Sequence, residues 1–382
     1  MYVICNSIFV YNLEYNYYEL KKFKIKKMKT FKNLVLILLA VFLISGCTNS
    51  KSEKDTILRG EIQNNSKPNL DSIFLSIDSI YKGKEVKPKD LYNISVIQIA
   101  YHSRLDSVYS GINSTLNSLE NKYKIDYKVA MGDQLMLATI SKQEVNNNPD
   151  LIITLGTSTT SAVLKETKSI PVIFSVVTDP VYSGIASSIY KPEGNKTGIS
   201  DMDPFEQQIA LIKLFKPDVK NVGIIVNNSE SNCEAGMKVV RNALAKLNIH
   251  YQEVNATNSS EVAIAAKSLA KLCDVFYISP SNTVYENIGV IQKVADKKGI
   301  ITIGGDKSSV SDNGVLCTYS YDFNQMGVNT AELVTRILKY NLEPGLIPVT
   351  RPSKLYLYIN KTKAEKLGIE IPQELIKILK DS

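Results

Sequence analysis

From Asn93 almost to the C-terminus, short apolar runs alternate with longer amphipathic segments. A run such as LIITL has no polar face, so it can be hidden only in a sheet that helices cover on both sides. The first pass of this alternation reads as strands at 94–100, 125–130, 151–155, 171–177 and a short one at 197–200. Helical spacing fills the gaps near 105–119, 135–146 and 160–167. A helix near 205–215 opens a second pass, with strands at 222–226, 251–256, 275–279, 301–305 and 315–319 and helices near 234–247 and 260–271. Two such passes in series imply an α/β protein of two doubly wound, Rossmann-like lobes. After Tyr319 come a helix at 325–338, a turn with Gly345 and Pro348, a strand-like LYLYI at 355–359 and a short helix near 362–367. Elements added after the second pass is complete imply that the chain recrosses, so that several strands join the lobes as a hinge. The expected lobes are 93–201 plus about 320–345, and 202–319 plus about 346–382.

The formal charge of +7 points to nucleic acid only if it lies on the folded part, and most of it does not. Residues 1–46 hold seven Lys against two Glu. The remainder is nearly neutral, which argues against a phosphate-backbone binder. The front has the order of a secretory signal: a Lys-rich stretch, the apolar run from Leu34 to Ile44, then Ser45 and Gly46 before Cys47. The run is too short for a membrane span, which takes about 20 residues in a helix. Met28 would open a signal of ordinary proportions. ISGC at 44–47 resembles a bacterial lipobox, whose Cys is lipid-modified and becomes the mature N-terminus. Cys47 is therefore the expected lipidation site, and a stably tethered body outside the cytoplasm is the expected location. The stretch 47–92 is rich in Lys, Ser, Asp and Asn and reads as a lipidated, mostly flexible stalk.

In open parallel sheets, ligands bind beyond the carboxyl ends of the strands, so the residues just past each strand matter most. The first strand runs into YHSRLD with His102 and Ser103, LIITL into GTSTTS with Thr157 and Ser158, and PVIFSVV into TDP with Thr178 and Asp179. In the second lobe the corresponding loops bring Ser229 and Glu230, Ser281 and Asn282, and Asp306 and Ser308. Hydroxyls beside free N–H groups at a helix N-terminus cradle a carboxylate, and Asp179 or Asp306 suits a cation. A zwitterion such as an amino acid needs both. Any one of these residues could simply cap its helix, but six such loops drawn from two lobes fit a pocket of converging polar groups better.

Catalytic patterns are missing: there is no GxSxG elbow, P-loop or HExxH, and GTSTTS lacks the Lys and glycines of a phosphate loop. With only two His in the chain, His102 reads as a pocket wall rather than a general base, and His250 as structural. Cys233, Cys273 and Cys317 read as small core residues, and none of the five Cys has metal-site spacing. No enzyme activity, cofactor or metal is expected.

With these loops in view, the chain resembles the lipoprotein substrate-binding components of ABC importers, of the type that includes tryptophan- and tyrosine-binding proteins. The likeness is carried by IPVIFSVVTDPVYSGI (170–185), GNKTGISD (194–201), FKPDVKNVGIIVNNSESN (215–232), TYSYDFNQMGVNTAELVTRIL (318–338) and INKTKAEKLGIEIP (359–372). The resemblance implies the type I periplasmic-binding fold, in which two lobes close on a ligand. It also implies pocket contacts at Thr157, Ser158, Thr178, Asp179, Ser229, Glu230, Asn282, Asp306 and Tyr319. The expected partners are a small ligand, aromatic or another amino acid, ABC permease and ATPase subunits, and a membrane through the lipid; no nucleic acid is expected, and the chain is expected to act as a monomer. Departures from the family pattern fall on the pocket loops. Ser281 stands where an Asp is common, GTS stands where ATP is usual, and Lys307 replaces a frequent acid. The alternative role is a lipid-anchored sensor that signals to a membrane partner without transport.

Overall fold

The computed structural model describes residues 57–63, 70–119, 122–310 and 314–380; the signal segment, the lipobox and Cys47 lie outside the described residues. A strand, β1 (Ile57–Gln63), and a helix, α1 (Leu70–Ile80), come first, both within the stretch read as a stalk. The first α/β pass then runs β2 (Tyr92–Gln98), α2 (Ser103–Asn117), β3 (Tyr123–Val129), α3 (Gln134–Asn146), β4 (Leu151–Leu155), α4 (Thr157–Glu166), β5 (Val172–Ser175) and β6 (Lys196–Ile199). Its strands form one sheet in the order β3-β2-β4-β5-β6, every neighbour parallel. β4 is buried along its whole length, as a central parallel strand must be, whereas the edge strand β3 is mostly half-buried.

The second pass comprises α5 (Phe205–Phe215), β7 (Asn221–Val226), α6 (Ser231–Lys246), β8 (His250–Asn255), α7 (Ser259–Leu269), β9 (Val275–Ile278), α8 (Asn282–Glu286), α9 (Ile288–Lys298), β10 (Ile301–Gly304) and β11 (Cys317–Ser320). Then come α10 (Phe323–Tyr340), β12 (Lys354–Asn360), α11 (Lys361–Lys366) and α12 (Gln373–Lys380). The second sheet has seven strands, in the order β1-β12-β11-β10-β9-β7-β8. Its inner strands are parallel, but β12 runs antiparallel to both neighbours. The two-lobed α/β architecture is the one the sequence pattern implies.

Helix α10 returns to the first sheet. Phe323, Met326, Thr330, Val334 and Ile337 recur at helical spacing and are buried, most of them in the core that also holds Ile94, Leu105 and Ile153. Where α10 crosses α2 the backbones touch, and a Cβ on Gly327 would lie 2.1 Å from the Val108 carbonyl oxygen. The chain passes between lobes after β6, after β11 and before β12. The first and last of these crossings pair, with Ile199 bridged to Thr350 and the Ser200 N–H donating to the Thr350 carbonyl at 2.8 Å. The Tyr321 hydroxyl ties the middle crossing to them by donating to the Met202 carbonyl at 3.0 Å.

Within the stretch 47–92, the described residues include two packed elements in place of the flexible stalk expected there. β1 pairs antiparallel with β12 over all seven of its residues, and α12 packs on it, with Ile378 against Gly60. α1 sets Leu70, Phe74 and Ile77 into the first lobe's core. Arg336 of α10 pairs with Asp78 at 3.0 Å, and its guanidinium lies 3.9 Å from the centre of the Phe74 ring. The polar average over this stretch conceals two short elements. Among the described residues, no helix is long and apolar enough to cross a membrane.

Candidate functional site

One cavity is lined from both lobes: His102, Thr157, Val176 and Thr178 come from the first, Asn232, Pro280, Asn282 and Tyr285 from the second, and Asp201 from a crossing. Arg104 completes the wall, and the space measures about 280 Å³ with its open mouth included. Each of these residues lies past the carboxyl end of a parallel strand, which is where a doubly wound sheet places its ligand. The first turn of α4 presents Thr157 there, and no side chain caps that helix. Its first N–H groups therefore remain suited to an anion. Val176 holds φ at +58°, a conformation that costs a β-branched residue energy and is maintained only by its surroundings.

Three consecutive residues of the first lobe reach the second. His102 Nε2 meets Asn282 Oδ1 at 3.3 Å, the Ser103 hydroxyl donates to Asp306 Oδ2 at 2.9 Å, and Arg104 Nη2 donates to the Gly305 carbonyl at 2.9 Å. Arg104 is 2% exposed, and a guanidinium so deeply buried must be paired. It lies 2.7 Å from Asp203, 3.6 Å from Asp201 and 4.0 Å from Asp306. The rings of Tyr285 and Phe323 lie 4.2 and 4.7 Å from its central carbon.

The carboxyls around Arg104 are shifted in different directions. Burial pushes Asp203 up to about 7 in spite of Arg104, and burial raises Asp201 as well. Burial also works to raise Asp306, but Arg104 and the bonds from Ser309 and Ser308 outweigh it and hold that carboxyl below its ordinary range. Burial, aided by the charge of Arg104, takes His102 down to about 4, so its imidazole is neutral at pH 7.

Among the described residues, several buried atoms of the cavity's lining have no hydrogen-bond partner: His102 Nδ1, Arg104 Nε, Thr157 Oγ1, Asp201 Oδ1 and Asn232 Oδ1. Buried polar atoms are normally satisfied; other unpartnered hydroxyls, such as those of Ser141 and Tyr358, lie away from the cavity. Asp201 and Asn232 offer acceptors suited to an ammonium group. Arg104 Nε, Thr157 and the start of α4 offer donors suited to a carboxylate.

Of the residues named from sequence, His102, Thr157, Thr178 and Asn282 line the cavity. The others sit off its wall. Ser158 is half-buried one position further along α4. The Asp179 carboxylate accepts from the N–H groups of Val181 and Tyr182, at 3.1 and 2.9 Å, and caps that turn. Ser229 is exposed and donates to Asn227 Oδ1 at 2.6 Å. Glu230 is buried, accepts from the N–H groups of Asn282 and Thr283 at 2.6 and 3.0 Å, and caps α8. Asp306 is occupied by Ser103, Ser308 and Ser309. Tyr319 belongs to the second lobe's core, where its hydroxyl has no partner among the described residues. Sequence reasoning passed over Arg104, Asp201, Asp203, Asn232 and Tyr285. The only signal for Arg104 was its place inside YHSRLD, a loop at a strand end.

A family model described as ABC transporter substrate binding protein matches residues 93–381. A tyrosine-binding protein of Clostridioides difficile (strain R20291) is 30% identical over 296 residues, covering 76% of this chain and 84% of that relative. Among solved structures, a conserved domain protein from Vibrio cholerae is similar with 34% identity and a TM-score of 0.72, covering 76% of this chain and 98% of that one. The ABC domain from Streptococcus pneumonia in complex with L-Trp is similar with 29% identity and a TM-score of 0.71, covering 75% and 98%.

Proposed function

This chain belongs to the ABC transporter substrate-binding proteins, and on that premise we propose that it captures a small amino-acid-like solute between its lobes and delivers it to a membrane permease powered by an ATPase subunit. It works outside the cytoplasm, anchored by a lipid on Cys47. The observation that carries the reading is the set of unpartnered buried atoms around one cavity, with acceptors fit for an ammonium and donors fit for a carboxylate. A zwitterion that satisfies both sets bridges the lobes and stabilises their closed arrangement, which is the form the permease recognises. Capture involves no bond making or breaking.

The test is thermal unfolding of the purified protein against a panel of amino acids. A solute present at 100 times its dissociation constant adds about 2.7 kcal/mol of stability and raises the midpoint. Unchanged melting curves across the whole panel would contradict the reading. Loss of uptake of the same solute from cells that lack the chain distinguishes import from sensing.

A further inference from the structure

We propose, resting on the amino-acid-binding reading above, that the cleft selects a primary ammonium group, taking its N–H donors on His102 Nδ1, Asp201 Oδ1 and Asn232 Oδ1 and rejecting ligands whose nitrogen is alkylated or missing. The three side chains are 6%, 4% and 7% exposed and line the same cavity. Their named atoms have no hydrogen-bond partner among the described residues. They come from three parts of the fold: His102 from the first lobe, Asn232 from the second and Asp201 from the crossing after β6.

An amide or an imidazole can donate as well as accept, and the surroundings decide which atom each leaves for the ligand. Asn232 Nδ2 donates to the Pro280 carbonyl at 2.8 Å and to Glu230 Oε2 at 3.3 Å. Turning the amide over would set its oxygen against those two acceptors, so Oδ1 is the atom left over. His102 is neutral at pH 7 and carries a single N–H. Asn282 Oδ1 only accepts, so that N–H belongs to Nε2, 3.3 Å away, and Nδ1 keeps a lone pair. Asp201 turns Oδ2 toward Arg104 Nη1 at 3.6 Å, which leaves Oδ1 unpartnered. A primary ammonium brings three donors to three acceptors. A secondary one, as in proline or an N-methyl amino acid, brings two and leaves a buried acceptor against carbon. A ligand without the nitrogen leaves all three unpaired, and sites that hydrogen-bond a ligand discriminate strongly against such an analogue.

The experiment is calorimetric titration of the purified full-length protein with the twenty common L-amino acids and, for each that binds, with its N-methyl derivative and with the acid of the same side chain that lacks the nitrogen. The wild type is expected to prefer the amino acid to the N-methyl derivative by about tenfold or more, and to the nitrogen-free acid by about 100-fold or more. In Asn232→Leu one acceptor is gone, and an N-methyl group can turn toward the leucine. The preference over both analogues should shrink by about tenfold, through weaker binding of the amino acid alone. A general loss of stability weakens all three ligands together and leaves their ratios unchanged. The wild-type ranking is read without any variant, so the proposal stays testable if Asn232→Leu does not fold. N-methyl derivatives or proline bound as tightly as primary amino acids, or ratios shared by the wild type and a folded Asn232→Leu, overturn the proposal and leave amino-acid binding intact. Failure of the wild type to bind any amino acid overturns the broader reading, and this inference with it.

Discussion

His102 and Asp203 lie in one buried cluster, yet their ionisations pull stability in opposite directions with pH. The imidazole falls from an ordinary 6.5 to about 4, so between those values the unfolded chain takes up a proton that the folded one refuses. That contribution grows as pH rises through the window and is complete above it. The Asp203 carboxyl rises from 3.8 to about 7, so over that span the folded chain keeps a proton that the unfolded one releases. That contribution is lost as pH rises. Asp201, also raised, acts in the same sense as Asp203, while Asp306, held low, loses its contribution only in stronger acid. Each of the two main effects is on the order of 3–4 kcal/mol, so in the wild type they largely cancel. Asp203→Asn should therefore give stability that climbs from about pH 4 to 6.5, and His102→Gln stability that declines up to about pH 7, as read by urea midpoints. Identical profiles in both variants would refute the assignment. His102 was visible in the sequence as the polar residue behind an apolar strand. Arg104 was not singled out, because its partners Asp201, Asp203 and Asp306 lie about 100 and 200 residues further along and only the folded crossing brings them together.

Helices α2 and α10 show what glycine permits that other residues do not. Gly327→Ala would drive a Cβ to 2.1 Å from the Val108 carbonyl oxygen, so the helices must separate. A cost of about 1–3 kcal/mol and a lower melting temperature are expected. Gly289 in α9 has nothing within 4 Å of the same position, so Gly289→Ala should cost nothing and serves as the control. At this scale the main alternating pattern was legible: α5 and β4 begin and end at the residues that periodicity gives them. β1 and α1 were missed because β1 (ILRGEIQ) has no continuous apolar run and α1 buries only three residues, both within Lys- and Ser-rich sequence. Removing residues up to 91 tests their weight. Exposing the sites of Leu70, Phe74 and Ile77 and the edge of β12 should cost several kcal/mol, about 1.5–3 for each large side chain before offsetting chain entropy, and lower the melting temperature by several degrees. A stalk would leave it unchanged.

At the scale of the whole molecule, the two-lobe plan was readable because buried parallel strands must be apolar throughout, and the recrossing because elements remained after the second pass had ended. The loops that actually form the cavity were only half readable, since a hydroxyl that caps its own helix and one that faces a ligand have the same sequence signature. Asp179 and Glu230 are caps, whereas Thr157 faces the cavity. The anchor calls for its own measurement. Metabolic labelling with an alkyne fatty acid should mark the protein, and Cys47→Ser should abolish the label and release the protein from membranes; a label that survives the substitution removes Cys47 from the account. β1 sets where such a lipid would act. Ile57 stands ten residues beyond Cys47, a leash of at most about 33–36 Å when drawn out straight. A lipid at its end would moor the body by the β1 flank of the seven-stranded sheet, keep that flank close to the bilayer, and leave the flank at β8 the freer to swing outward.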